Sequence, residues 1–557
     1  MAGRSRREML LMGLAASAAA ALPSGAPAKA GVANAGPADC RPQPPLPGRG
    51  GFEGQRKADL GNGSYLNPVL AGDQPDPSIL KDGDVYYKVS SSFYYYPGLL
   101  IWQSRDLVNW SPTTPALRRP IGSIFAPDLV KHEGRYYVYF PAANLDQLAA
   151  PPVANKPRLP IMAIYVVHAE SMAGPWSDPI DMNIYEGIDP GHVVGENGKR
   201  YLFIDGGKLI PITDDGLARA GKSEKVYAGW TYPEDWVVET FALEGPKLLR
   251  HSGWYYLFSA EGGTAGPPTS HMVVVARSRS VRGPWENCPH NPIVRTTSAQ
   301  EPWWSRGHTT PVLGPAGDWW LVYHGYENGF RTLGRQMLME PFDWTADGWP
   351  KAKGGDLSQP LAKPQGGKAG PHGFAISDNF TNDRLGVGMA FYKPEENYRQ
   401  RLRVGSGEMI LGAQGEKPGE SSPLVINVGD RSYDLSIELE LVDGAQGGIL
   451  LFYDEHYYCG VGSDGTRLHS YKMGAEPLFA TPRALVMKSL FLRLVNRDNV
   501  ATFFYRSNRT DWKTHVSLEV SGYNHNIADG FLSLRPALYA TGQGSVRFRS
   551  LSYSAKA

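Results

Sequence analysis

An aromatic strand motif recurs five times between residues 84 and 323, and it limits the fold more than any other feature of the chain. Its copies are Asp84-Val85-Tyr86-Tyr87-Lys88-Val89, Gly134-Arg135-Tyr136-Tyr137-Val138-Tyr139-Phe140, Lys199-Arg200-Tyr201-Leu202-Phe203-Ile204, Gly253-Trp254-Tyr255-Tyr256-Leu257-Phe258 and Asp318-Trp319-Trp320-Leu321-Val322-Tyr323. Each follows a turn bearing Gly or Asp, as a hairpin requires. The copies recur at roughly 50–65 residues, which suits a four-stranded propeller blade better than a helical repeat. A second element closes several units: Ser104-Arg105-Asp106-Leu107-Val108-Asn109-Trp110, Met172-Ala173-Gly174-Pro175-Trp176 and Val281-Arg282-Gly283-Pro284-Trp285. One blade cannot cover both of its own faces, so blades must stack side by side. The closing tryptophans are expected to fill the gaps between them. Five copies predict a five-bladed β-propeller over residues 67–350, with no sustained helical periodicity.

At 557 residues the chain exceeds what one core usually holds. A stretch rich in Gly, Pro and Lys, residues 351–370, reads as a linker or strap. Strand alternation then returns in Tyr433-Asp434-Leu435-Ser436-Ile437-Glu438-Leu439-Glu440-Leu441 and in later short runs. That pattern predicts a β-sandwich over residues 371–557, so the fold class is all-β. The 64 glycines, 29 tyrosines and 14 tryptophans agree with many turns and aromatic-rich strands. A formal net charge of +1, with no basic stripe, argues against a nucleic-acid partner.

Residues 1–30 read as a signal peptide of the twin-arginine type. Arg6 and Arg7 precede an apolar run from Met9 to Leu22, and Ala28-Lys29-Ala30 offers a cleavage site. The protein is therefore expected to be exported, periplasmic or extracellular. The run is short for a transmembrane span, and no stable membrane insertion is expected. Residues 31–66 form a loose lead-in. Cys40, Cys288 and Cys459 are too few for a disulfide framework, although a Cys40–Cys288 bridge is compatible with export.

Each repeat also carries a polar residue in a segment expected to form its inner strand: Asp76, Asp128, Asp189, Glu244 and His308. The first strand of each propeller blade lines the axis, so residues distant in sequence should meet at one polar pocket. Taken with Asn67-Pro68-Val69-Leu70, Pro75-Asp76-Pro77-Ser78, Ala126-Pro127-Asp128-Leu129, Leu243-Glu244-Gly245-Pro246 and Ala260-Glu261-Gly262-Gly263-Thr264, the chain resembles glycoside hydrolase family 43 from about Asn67 to Trp349. The later segment resembles the lectin-like sandwich that follows the catalytic propeller in xylosidases of that family, through Gly448-Ile449-Leu450-Leu451-Phe452-Tyr453-Asp454-Glu455 and Leu534-Arg535-Pro536.

The resemblance implies an inverting hydrolase in which Asp76 is the general base, Glu244 the general acid and Asp128 the carboxylate that orients the acid. The chemistry makes the same demand, because cleaving an acetal needs a proton on the departing oxygen and an activated water at the anomeric carbon. One carboxyl must stay protonated while another stays ionised, and negative neighbours favour the proton on Glu244. Glu261 competes for the acid role because it follows an aromatic strand in the same repeat. Arg335 matches a family arginine that reaches a sugar hydroxyl or a carboxylate. His308 matches a histidine near the axis that in some members contacts a central calcium, with waters supplying most of the ligands. No organic cofactor is implied.

Phe93, Tyr95, Phe125 and Trp304 are candidates for the wall that covers the apolar face of a sugar ring, and Asp189 is a helper near the axis. The expected partners are xylose- or arabinose-containing oligosaccharides. A β-xylosidase is the first expectation, with α-L-arabinofuranosidase second. A non-catalytic glycan-binding propeller would keep the aromatic wall without needing three converging carboxylates.

Overall fold

The computed structural model describes residues 50–144, 160–478, 483–507 and 511–556. The expected signal peptide and Cys40 lie outside the described residues. Cys288 and Cys459 are buried thiols.

Five antiparallel sheets follow one another along the first part of the chain. Blade 1 comprises Ser78–Asp82, Val85–Val89, Gly98–Ser104 and Ser111–Leu117. Blade 2 comprises Asp128–His132, Arg135–Ala143, Met162–Ala169 and Ile180–Ile184, with the short strand Ser123–Ile124 added. Blade 3 runs through Gly191–Val194, Arg200–Ile204, Lys208–Pro211 and Glu224–Lys225. Blade 4 runs through Glu244–His251, Trp254–Glu261, Met272–Ser278 and Glu286–Asn287, with Val294–Arg295 added. Blade 5 is Trp303–Leu313, Trp319–Glu327, Arg335–Trp344 and Pro350–Ala352.

The five motif copies are the second strands of the five blades. The turn before each holds a glycine with positive φ: Gly83, Gly134, Gly198, Gly253 and Gly317. A side chain there would strain the left-handed backbone that reverses the chain within two residues.

Separate apolar clusters fill the seams. Blades 2 and 3 share Tyr137, Tyr139, Ile164 and Leu202. Blades 3 and 4 share Tyr201, Phe203 and Leu257, and Trp285 meets the Phe203 ring edge-on at 5.6 Å. Blades 4 and 5 share Phe258, Leu321, Tyr323 and Phe342. Blades 5 and 1 meet over Trp102, Trp110, Val312 and Trp320. Each fully buried apolar side chain of this kind contributes roughly 1.5–3 kcal/mol. The ring is tied by the segment before blade 1: the Val69 N–H donates to the Met337 carbonyl at 2.9 Å, and Asn67 pairs with the Met339 backbone in both directions.

After blade 5 the chain runs back over the propeller. Leu361–Ala362 pairs with Ser64–Tyr65, and Lys363 Nζ bonds Asp59 at 2.7 Å. Two further sheets of eight and seven strands form the sandwich-like part. Ser432–Val442 alternates between buried and half-buried positions, and Ala445–Phe452 is almost wholly buried.

The larger sheet ends on a propeller segment. Tyr95–Tyr96 pairs with Met389–Tyr392, and one apolar cluster runs from blades 1 and 2 into the sandwich. The described residues accordingly form one compact unit. The only α-helix among the described residues is His525–Ala528, and none of their helices is long and apolar enough to cross a membrane.

Candidate active site

The polar residues singled out in the five repeats all fall at the inner strands. Asp128 and Glu244 are the first residues of theirs, Asp76 and Asp189 stand two residues before theirs, and His308 lies within the innermost strand of blade 5. Asp76, Asp189 and His308 have φ of 55°, 55° and 58°, and Gly245 has 59°. Left-handed backbone at a residue other than glycine costs on the order of 1–3 kcal/mol and persists only where the surroundings over-determine it. Here it turns the chain sharply where each blade meets the axis.

Asp76 is buried, and its carboxylate is surrounded by donors. Arg335 Nη1 donates to Oδ1 at 2.9 Å, and Ser91 Oγ donates to Oδ2 at 2.5 Å. His308 Nδ1 lies 3.3 Å from Oδ1. His324 Nδ1 lies 3.0 Å from the backbone N of Asp76 and 3.1 Å from its Oδ1. Burial by itself would raise the Asp76 carboxyl. The Arg335 guanidinium, helped by the two histidines, outweighs it and holds the group well below the usual carboxylate range. Arg335 is the cation that matters. Burial keeps the histidines neutral, His308 being pushed down to about 4 and His271 and His324 also lowered.

Glu244 reaches the same cluster from blade 4. Its Oε1 lies 4.0 Å from His271 Nδ1. His271 stacks on His324 at 5.2 Å with the rings 6° apart, and His324 holds Asp76. On another path, the His308 ring packs so closely on Gly245 that a Cβ there would fall 2.8 Å from Nε2. His308 thus stands between Asp76 and the residue after Glu244. Asp189 Oδ2 accepts the Gly245 N–H at 3.1 Å and so holds the turn that carries Glu244. Asp128 is tied by Lys247 Nζ at 2.6 Å, by the His192 N–H at 2.7 Å and by Ser78 Oγ at 3.3 Å. Lys247 is three residues along the same strand as Glu244, which binds the positions of the two acids together.

The aromatic wall is assembled from both parts of the protein. Phe93 meets Phe125 edge-on at 5.6 Å, and Phe531, from the sandwich, stacks on Phe93 at 6.3 Å and meets Phe125 at 6.1 Å. The Arg335 guanidinium sits 5.7 Å from the Phe93 ring and 5.6 Å from that of Phe531. Trp304 stands apart from this triad, half-buried beneath the Arg331 guanidinium at 4.6 Å. Tyr95 departs from the expectation of a sugar-facing ring. It belongs to the edge strand of the larger sandwich sheet, is covered by the Arg535 guanidinium at 3.7 Å, and lines a cavity of about 790 Å³ between propeller and sandwich. The pleat sends Tyr95 into the domain junction, whereas Phe93, two residues earlier, has left-handed backbone (φ 44°) and turns to the triad.

Glu261 is fully buried at the end of its strand. Oε1 accepts the Trp230 N–H at 2.7 Å, and Oε2 has no partner among the described residues. The sequence reading did not single out Ser91, Lys247, His271, His324 or Phe531. Lys247 lies within the inner-strand segment 243–248 that carries Glu244, and His324 interrupts an apolar strand, so both carried a weak signal. Phe531 carried none, because its partners lie in another domain.

For the calcium expected at His308, the neutral imidazole is compatible with a ligand role. Among the described residues, however, no three His, Cys, Asp or Glu side chains gather as a cation site. Any ion there would depend on water for most of its ligands.

Comparison with known proteins identifies the family. Residues 65–350 match the model of glycosyl hydrolases family 43. The non-reducing end α-L-arabinofuranosidase BoGH43B of Bacteroides ovatus is 29% identical over 426 residues, covering 72% of this chain and 76% of that protein. A xylan 1,3-β-xylosidase from a Vibrio species is 33% identical over 316 residues, covering 51% of this chain and 56% of its own length. The crystal structure of the GH43 protein BlXynB from Bacillus licheniformis superposes with a TM-score of 0.77 at 26% identity, covering 88% of this chain and 100% of that one. With the match spanning more than half of the sequence and the fold extending through both sheet systems, the chain belongs to glycosyl hydrolases family 43.

Proposed function

We propose that the protein is an exo-acting, inverting glycosidase that removes a terminal pentose from arabinose- or xylose-containing oligosaccharides. Asp76 is the base that activates water, Glu244 the acid that protonates the departing oxygen, and Asp128 the carboxylate that orients the acid with Lys247. The observation that carries this reading is the ionised Asp76, locked by Arg335 and linked through His308 to the turn bearing Glu244. Inversion needs a carboxylate that stays charged and polarises a water, and general acid–base assistance of this kind is worth roughly 10²–10⁴-fold. Phe93, Phe125 and Phe531 offer an apolar face to the ring C–H groups. Arg335 offers a donor to its hydroxyls, His308 holds Asp76, Asp189 acts through the Glu244 turn, and Trp304 stands outside the aromatic triad. The sandwich segment around Phe531 closes one side of the site, which favours attack on chain ends.

Terminal α-L-arabinofuranose is placed first. This choice is supported by the Bacteroides relative aligned over most of both chains, an arabinofuranosidase, whereas β-xylosidase is the first expectation from the sequence. Release of β-D-xylose is the second reading, favoured by the higher identity of the Vibrio enzyme over its shorter match. Aryl α-L-arabinofuranoside and aryl β-D-xyloside should both be assayed with wild type, Asp76→Asn and Glu244→Gln, and the anomer first released read by NMR. Arabinofuranoside turnover with inverted product, lost in both variants, is expected. No turnover of either pentoside would overturn the substrate class, and a retained anomer would overturn the role of Asp76.

Two accompanying proposals have their own tests. A structural calcium held near His308 through water would be seen as a lower melting temperature after chelation that calcium restores. Export directed by residues 1–30 would be seen by cell fractionation.

A further inference from the structure

Apolar side chains stand exposed on two segments that each lead into the site. The first is residues 226–243, which connect blade 3 to blade 4 and run directly into Glu244. The second is residues 525–531 of the sandwich, which end on Phe531 of the aromatic wall. On the first, Val237 is 67% and Phe241 46% exposed, and on the second Ile527 is 62% exposed. Phe241 stands three residues before Glu244, and Ile527 four before Phe531.

The backbone that presents these chains is held in place. Thr269 Oγ1 donates to the Val237 carbonyl at 2.8 Å, and the Glu239 N–H donates to Ser270 Oγ at 2.9 Å. Glu239 Oε2 accepts the N–H groups of Ala265 and Gly266 at 2.9 and 2.8 Å. From the sandwich, Asn526 Nδ2 donates to the carbonyl of the same Gly266 at 3.2 Å. One turn of blade 4 thus joins both segments. Phe241 lies on Gly229, where a Cβ would fall 2.8 Å from its Cζ, and it meets the Tyr232 ring at 6.2 Å. His525 stacks on Phe531 at 4.2 Å. Apolar chains kept in water by an ordered backbone mark a binding surface.

A catalytic acid stands at the glycosidic oxygen, so the chain from which the terminal pentose is cut begins beside Glu244. Sugar rings offer C–H faces that aromatic and aliphatic side chains cover. We propose that Tyr232, Val237, Phe241 and Ile527 form a rim that binds the glycan on the leaving-group side, so that the enzyme prefers terminal pentoses carried on a longer saccharide. This rests on Glu244 being the acid. A protein partner is disfavoured, because a stable interface takes roughly 20–30 residues a side.

The full-length protein is assayed on a pentose-terminated disaccharide and on a pentasaccharide ending in the same linkage, and the ratio of the two kcat/KM values is read. In wild type the pentasaccharide is favoured about fivefold or more, the worth of one or two apolar ring contacts. In Phe241→Ser, and in Val237→Ser combined with Ile527→Ser, the ratio falls toward one, mainly through KM for the longer substrate. General damage to folding or to Glu244 lowers both substrates together and keeps the ratio, and a kept ratio in the Val237 and Ile527 pair, whose side chains are exposed, overturns the proposal. A wild-type ratio near one overturns it as well, and a concentration-dependent dimer in sedimentation would then assign the rim to a second copy. The two levels separate cleanly. If neither glycan is cleaved, the reading of the site fails and the rim with it. If the disaccharide is cleaved and the ratio is flat, only the rim fails.

Discussion

Asp76 and Glu261 are both buried carboxyls at strand ends in the propeller, and their neighbours drive them to opposite states. Among the described residues Glu261 has one hydrogen bond, from the Trp230 N–H, and no cation beside it. Burial dominates and pushes it up to about 8, so it holds a proton at neutral pH. Asp76 is buried as deeply, yet Arg335 reverses the effect and keeps it ionised. Desolvation alone neutralises a carboxyl, and a guanidinium at hydrogen-bond distance overrides it. A carboxyl protonated at neutral pH is also not an acid catalyst by that fact. Glu261 faces Trp230, Tyr227 and Tyr232, whereas Glu244 faces the histidines that surround Asp76.

The contrast is broken most severely at Asp76 itself. Asp76→Asn is expected to lower kcat by about 10²–10⁴-fold or more, while Glu261→Gln keeps kcat within a few-fold; steady-state assays on aryl pentosides compare them. Next comes Arg335→Met. With its cation gone the Asp76 carboxyl rises, the base takes up its proton at higher pH, and the acid limb of kcat/KM moves up by about 1–3 units. The Glu261 side is sharpened by thermal unfolding against pH. A raised carboxyl costs stability as pH climbs from its ordinary value toward about 8, and the full cost is present above that. Glu261→Gln should match wild type near pH 4 and melt higher at pH 9, by an amount on the order of a few kcal/mol. Asp76 has the opposite sign: its stabilisation is present above the ordinary aspartate range and fades as pH falls through its depressed folded value. The smallest change is Ser91→Ala, which removes one donor to Oδ2. A net hydrogen bond of about 1 kcal/mol predicts a rise of less than a unit in the acid limb, read from the same pH profiles.

Much of the propeller was legible because its determinants are local. The turn glycines, the paired aromatics and the inner-strand acids each lie within a few residues of the structure they specify. Blade symmetry then carries Asp76, Asp128, Asp189, Glu244 and His308 to one axis. Phe93, Phe125 and Arg335 lie together around Phe531. Tyr95 did not follow, because an alternation read within one segment cannot show that the segment will end a sheet belonging to another domain.

The sequence by itself determined the repeat, and with it the β class, the number of blades and which acids point inward, since strand period and turn chemistry act over short distances. Tertiary structure alone decided which carboxyl is ionised, which histidines join the site and that Phe531 reaches it from the sandwich. Those outcomes depend on desolvation and on charges a few ångströms apart in space but hundreds of residues apart in the chain, where no local pattern records them.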